Sequence, residues 1–95
     1  MTTVSIPTPL RQFTNGQDAV ALEGSSVGEV LDALVRQFPG LEQHLFNDEG
    51  KLRSFVNVYL NDEDIRYLSK TASPVNDGDT ITIIPSIAGG QGRRI

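Results

Sequence analysis

Polar and apolar residues alternate through Thr3-Val4-Ser5-Ile6, the two-residue period of a strand with one wet face and one buried face. Pro7, Pro9 and then Asn15-Gly16 interrupt the alternation, and Ala19-Val20-Ala21-Leu22-Glu23 resumes it. These segments predict two strands joined as a hairpin by a long connection. The period then lengthens. Val27, Val30, Leu31, Leu34, Val35 and Phe38 recur at three- and four-residue intervals, and Ser26 stands three residues before Glu29. That spacing is a capping box opening an amphipathic helix, which Pro39-Gly40 closes.

Beyond the helix, Leu41 to Phe46 has room for a short helical turn, and Phe55-Val56-Asn57-Val58-Tyr59-Leu60 reads as a third strand. Asn61-Asp62-Glu63 predicts a turn, Ile65 to Leu68 a short strand, and Asn76-Asp77-Gly78-Asp79 a second turn just before Thr80-Ile81-Thr82-Ile83-Ile84-Pro85. The expected fold class is α+β, with one main helix laid over a mixed sheet of about five strands. Its core would join the helix stripe to Val4, Ile6, Val56, Val58, Leu60, Ile81 and Ile83.

Ninety-five residues, 38% of them hydrophobic, make one domain without internal repeats. Twelve acidic against eight basic residues leave a charge of −4, which argues against nucleic acid or an anionic membrane as partner and favours a protein with a basic surface. The chain has no cysteine, so disulfides, a thiolate nucleophile and a cysteine metal site are excluded. Met1-Thr2-Thr3-Val4 lacks a basic segment leading into an apolar stretch, and no apolar run approaches the ~20 residues of a membrane span. The expected location is cytoplasmic.

Candidate chemistry concentrates at the carboxyl end, where the last predicted strand continues through Ser86-Ile87-Ala88 into Gly89-Gly90 and then Gln91-Gly92-Arg93-Arg94-Ile95. Two residues without Cβ form a thin peptide able to thread a narrow channel, where a partner enzyme could modify the Gly90 carboxylate. That carboxylate is masked in the full chain. Residues 91–95 read as a short propeptide cleaved between Gly90 and Gln91, as a retained tail, or as a scar of cloning. His44 is the only histidine and reads as a partly exposed surface residue. Asp62, Glu63 and Asp64 read as a solvated edge beside a turn, with electrostatic docking as the alternative.

The order of elements, together with Phe55-Val56-Asn57-Val58-Tyr59-Leu60-Asn61-Asp62-Glu63-Asp64-Ile65-Arg66 and Asp77-Gly78-Asp79 leading through the last strand to Gly89-Gly90, resembles the ubiquitin-like β-grasp sulfur-carrier family. The third-strand segment looks most like the carriers of a cysteine-biosynthesis route. The resemblance implies a non-enzymatic β-grasp domain over residues 1–88 and a flexible diglycine tail over 89–95. An E1-like activating enzyme would use ATP to adenylate the Gly90 carboxylate, and a sulfur donor would convert it to a thiocarboxylate. The sulfur would then attack an aminoacrylate held by a cysteine synthase that depends on pyridoxal phosphate. A zinc metalloprotease is the expected partner for carboxyl-terminal processing and for release of cysteine. The carrier itself would need no cofactor and no metal, since both belong to its partners.

Within that fold the third and last strands are neighbours, and alternation turns Phe55, Tyr59 and Ile84 away from the helix, making them the candidate partner-docking patch. Two other roles fit the same frame. One is the small subunit of molybdopterin synthase; the other is a ubiquitin-like modifier or inert binding module. Lys51 and Lys70 would be candidate isopeptide acceptors for a modifier.

Overall fold

The computed structural model of the protein describes residues 1–53 and 56–85. Five strands form one sheet: β1 (Thr2–Ser5), β2 (Ala19–Leu22), β3 (Val56–Leu60), β4 (Glu63–Asp64) and β5 (Thr80–Pro85), in the order β2-β1-β5-β3-β4. The β1–β5 pair is parallel and the other pairs are antiparallel. The long helix α1 (Val27–Gln37) crosses one face of this sheet. The single parallel pair places the two outermost ends of the described chain side by side at the centre.

Alternation determines which side chains the sheet buries. Val4, Val20, Leu22, Val56, Val58, Ile81 and Ile83 turn inward and meet Val27, Val30, Leu31 and Leu34 of α1, so the period-2 and period-3.6 stripes close on one core. Leu60, at the end of β3, is only partly buried against it.

Helix α1 begins as the capping pattern requires, with Ser26 Oγ accepting from Glu29 N–H at 3.2 Å. The reciprocal bond falls one residue earlier than in the standard box. Glu29 Oε1 accepts from Ser25 N–H at 3.0 Å and from the Ser25 hydroxyl at 2.9 Å, and these bonds hold the Glu29 carboxyl below its ordinary range. The helix stops at Phe38, whose N–H reaches Leu34 O, because Pro39 lacks the donor needed to continue. A 3₁₀ turn (Pro39–Leu41) and the short helix α2 (Glu42–Leu45) follow, and they bury Leu41 and Leu45.

Two expectations are corrected, and the loop between β1 and β2 gains an element that was not expected. Ile65 to Leu68 is not a strand: the short strand is Glu63–Asp64, and Ile65–Tyr67 is a 3₁₀ turn. Only Ile65 of that segment is buried, while Tyr67 is 85% exposed, so the alternation had no second anchor. The loop after β1 contains a 3₁₀ segment (Thr8–Phe13) that inserts Leu10 into the core. Finally, Asp62 and Glu63 are exposed but Asp64 is not solvated. Its carboxylate is 7% exposed, receives Arg66 N–H at 2.9 Å and holds the Arg66 guanidinium at 2.7 Å.

Candidate functional site

The site is assembled at the end of the sheet from which the chain proceeds toward Gly89-Gly90. Its framework is the β3–β5 ladder, which pairs Val56 with Pro85, Asn57 with Ile84, Val58 with Ile83 and Tyr59 with Thr82. At its opposite end this ladder is anchored by Asn61. Asn61 N–H donates to Thr80 O at 2.7 Å, Asn61 Oδ1 accepts from Thr80 N–H at 3.1 Å, and Asn61 Nδ2 donates to Asp79 Oδ1 at 3.4 Å. Asn61 has a φ of 58°, a left-handed turn geometry that Asn accepts more readily than most residues.

Met1 docks beside the same turn. Its ammonium lies 2.6 Å from Asp77 Oδ1, holding that carboxyl below its ordinary range, and its carbonyl accepts from Gly78 N–H at 3.1 Å. Gly78 has a φ of 90°, a region open to glycine at little cost. One end of β5 is therefore held by a dense polar network.

At the other end two prolines stop the pairing of β5 with β1. Thr3 N–H donates to Asp79 O, so Ile81, Ile83 and Pro85 direct their backbone nitrogens toward β1. Continued by two residues, this parallel ladder would run from residue 7 N–H to Ile83 O and from residue 85 N–H to the residue 7 carbonyl. Pro7 and Pro85 supply neither donor. The Pro7 carbonyl accepts instead from Leu10 N–H at 2.9 Å. On the β3 side Val56–Pro85 occupies a non-bonded position in the ladder, so Pro85 removes no bond there.

The outer face of the sheet beside this end carries two of the three predicted docking residues. Tyr59 is half-buried and Ile84 is 45% exposed. They are diagonal neighbours across the ladder, a separation that aromatic and long side chains bridge. Asn57, opposite Ile84, and Thr82, opposite Tyr59, share this face. Phe55, Gly89, Gly90 and Gln91 lie outside the described residues. The proline stop escaped the sequence reading, although a proline closing the last strand ahead of a diglycine was its visible signal.

Away from this end, His44 is half-buried with its ring 4.4 Å from that of Phe13, a packing role. Lys51 and Lys70 are both exposed. Among the described residues no group of three or more His, Cys, Asp or Glu side chains is placed to hold a metal ion, and no helix is long and apolar enough to cross a membrane.

A mixed five-stranded sheet grasping one long helix, with its last strand followed in sequence by a diglycine, defines a ubiquitin-like β-grasp protein of the sulfur-carrier type. The chain belongs to the ThiS family, whose sequence profile matches residues 4–90. It is 44% identical to the sulfur carrier protein CysO of Mycobacterium tuberculosis over 90 residues, covering 93% of this chain and 97% of that protein. The crystal structure of the Amycolatopsis orientalis BexX/CysO complex contains a chain that superposes with a TM-score of 0.86 at 44% identity, covering 95% of this chain and all of that one. Small archaeal modifier protein 1 of Haloferax volcanii is 38% identical over 66 residues, 70% of this chain and 71% of that protein. Kinship with CysO supports a sulfur-carrier role and places the chain among small carriers rather than catalysts.

Proposed function

We propose that the protein carries sulfur as a thiocarboxylate on Gly90 and donates it in cysteine formation. Residues 91–95 are first removed at Gly90-Gln91, which frees the Gly90 carboxylate. An E1-like enzyme adenylates that carboxylate with ATP, sulfur displaces AMP, and the charged carrier delivers it to a pyridoxal-phosphate-dependent cysteine synthase. A zinc metalloprotease is the proposed processing partner.

The observation that carries this reading is the extent of the family match. It runs from residue 4 to residue 90 and leaves the last five residues outside. The adjacent proline stop supports it, because a tail held in a β-ladder would have to be peeled away before it entered a channel. Of the proposed docking patch of Phe55, Tyr59 and Ile84, the described residues Tyr59 and Ile84 are diagonal neighbours on the β3–β5 ladder that leads to the tail, so one partner surface could grip the patch and thread the tail. The BexX/CysO complex is a precedent for a carrier of this type bound to another protein.

Intact-mass analysis of protein from its native cells tests the processing step: the expected species ends at Gly90. If every molecule from cells actively making cysteine retains Ile95, the proposal fails. Truncated protein incubated with activating enzyme, ATP and a sulfur source should exchange one terminal oxygen for sulfur, and Gly90→Ala should react poorly because its methyl crowds the channel.

Similarity to the small archaeal modifiers favours a second reading, conjugation of the freed Gly90 to lysine. Isopeptide-linked adducts in the same native extract would distinguish it.

A further inference from the structure

On the helix side of the sheet, a cleft of about 660 Å³ opens between the segment around Lys51 to Arg53, the amino-terminal part of α1 and the 3₁₀ turns after β4. Its size lies within the range of specific binding sites. The inward side chains of β3 form its floor, with Val56 and Val58 supported by Ile65. Phe46 and Leu52 add partly buried apolar surface along one wall.

The charges around this floor are unlike those of the rest of the molecule. The chain carries a net charge of −4, yet four of its eight Lys and Arg residues line this one cleft. Lys51 and Arg53 stand on one wall, Arg66 and Lys70 on the other. Two carboxylates accompany them, Asp32 and Asp64, and Asp64 is already held by Arg66. Arg53 also donates from Nε to Gln43 O at 2.8 Å, which fixes its stem. A surplus of positive charge therefore flanks an apolar trough on two sides.

We infer that this cleft binds an extended acidic peptide segment of a partner protein, with apolar side chains seated on Phe46 and Leu52 and carboxylates paired to Lys51 and Lys70. An extended peptide directs successive side chains to opposite sides, so an alternating sequence can turn its apolar side chains to the floor and its carboxylates to the cationic rim. Charge complementarity selects an acidic sequence and suppresses a basic one. Because Val56 and Val58 face the cleft while Asn57 and Tyr59 face the other side of the same strand, the cleft and the tail-root patch lie on opposite faces of the sheet. The protein can therefore be tethered through the cleft while its tail is engaged elsewhere.

The test is a titration of the full-length ¹⁵N-labelled chain with a synthetic heptapeptide alternating Glu and Leu, followed by amide shifts, with a Lys/Leu heptapeptide and free pyrophosphate as parallel arms. Expected are shifts at Gly28, Gly50, Leu52 and Thr71 with the acidic peptide alone, and little change at Thr3 or Thr82 on the outer face. The double variant K51E/K70E should lower affinity about tenfold or more while its melting temperature stays near that of the parent. Both lysines are exposed, so loss of fold is not the expected cause. Shifts confined to the outer face, equal binding of the basic peptide, or undiminished affinity in K51E/K70E overturn the inference. Saturable pyrophosphate binding in the cleft without peptide binding overturns it in favour of a small-anion site. Cleft shifts that grow with protein concentration alone overturn it in favour of a second copy of the chain.

Discussion

Pro7 and Pro85 stand at the two places where the central parallel ladder between β1 and β5 would have made its next bonds, and neither has an N–H to give. Pairing consequently ends with Ser5 opposite Thr82, although β5 continues against β3 to Pro85. The two prolines set the point at which the chain leaves the centre of the sheet, a position that in a β-grasp fold is otherwise flanked on both sides. The double variant P7V/P85V restores both donors. Amide exchange at Ile83 and Ile84 should slow, the new residue 85 amide should be protected, and activation of the truncated carrier should fall severalfold, because the tail root must now be detached. Unchanged exchange would show that the prolines do not control release.

A different backbone constraint lies at the start of the helix. A Cβ added at Gly24 would stand 2.8 Å from Val30 Cγ2 and 2.9 Å from Val30 N, so the β2–α1 connection passes directly over the helix backbone. Gly24→Ala should destabilise the fold by about 1–3 kcal/mol through overpacking. At Gly16, where φ is +81° and nothing lies within 4 Å, Ala meets only backbone strain of roughly 1 kcal/mol. Denaturant melts of the two variants should rank Gly24→Ala as the more damaging.

The strands and helix were legible because Val4, Val58, Ile81 and most of the Val27–Phe38 stripe obey their periods, and the core they predict forms with Val35 and Leu60 only partly buried and with Leu10, Leu41, Leu45, Ile65 and Val75 added to it. Local side-chain chemistry was harder to read. The bond from Arg66 N–H to Asp64 Oδ1 diverts the chain into a 3₁₀ turn immediately after a two-residue strand, overriding the weak alternation of Ile65 to Leu68. The same contact removes Asp64 from the acidic edge that Asp62 and Glu63 suggest. The spacing Asp-Ile-Arg was its signal. No comparable signal exists for the cationic cleft, since Lys51 and Arg53 meet Arg66 and Lys70 only through tertiary packing. Pro7 and Pro85, read separately, are loop and strand-end residues; only the parallel register gives them a joint role.

Asp64 also makes stability depend on pH. The Arg66 side chain, and then the Arg66 backbone N–H, hold its carboxyl below the ordinary Asp value of 3.8. A depressed folded-state pKa contributes stability that is fully present above the unfolded value and is lost as pH falls through the folded one. Glu29 and Asp77 are shifted in the same direction. Melting temperature should therefore decline below about pH 4, and Asp64→Asn should flatten that decline while lowering stability at neutral pH. An acid limb identical in variant and parent would show that the Asp64–Arg66 pair contributes nothing to it.

The tail-root patch separates recognition from folding. Tyr59 and Ile84 are diagonal neighbours on the outer face, away from α1 and its core, so a charge at Tyr59 would meet the proposed partner rather than the interior. Tyr59→Asp in the truncated carrier should weaken binding to the activating enzyme by about 2–4 kcal/mol if the ring occupies the desolvated centre of the contact. It should cost the fold about 0.5–1 kcal/mol through the lost cross-strand contact with Thr82 and the like charge set opposite Asp64. Ile84→Asp should act in the same direction. A thermal melt run beside a binding titration distinguishes the cases. Lost affinity with a nearly unchanged melt assigns the patch to docking, whereas a large fall in melting temperature assigns Tyr59 to structural support of the β3–β5 ladder. Full affinity in well-folded Tyr59→Asp and Ile84→Asp would exclude this face and leave the tail itself as the element the enzyme reads.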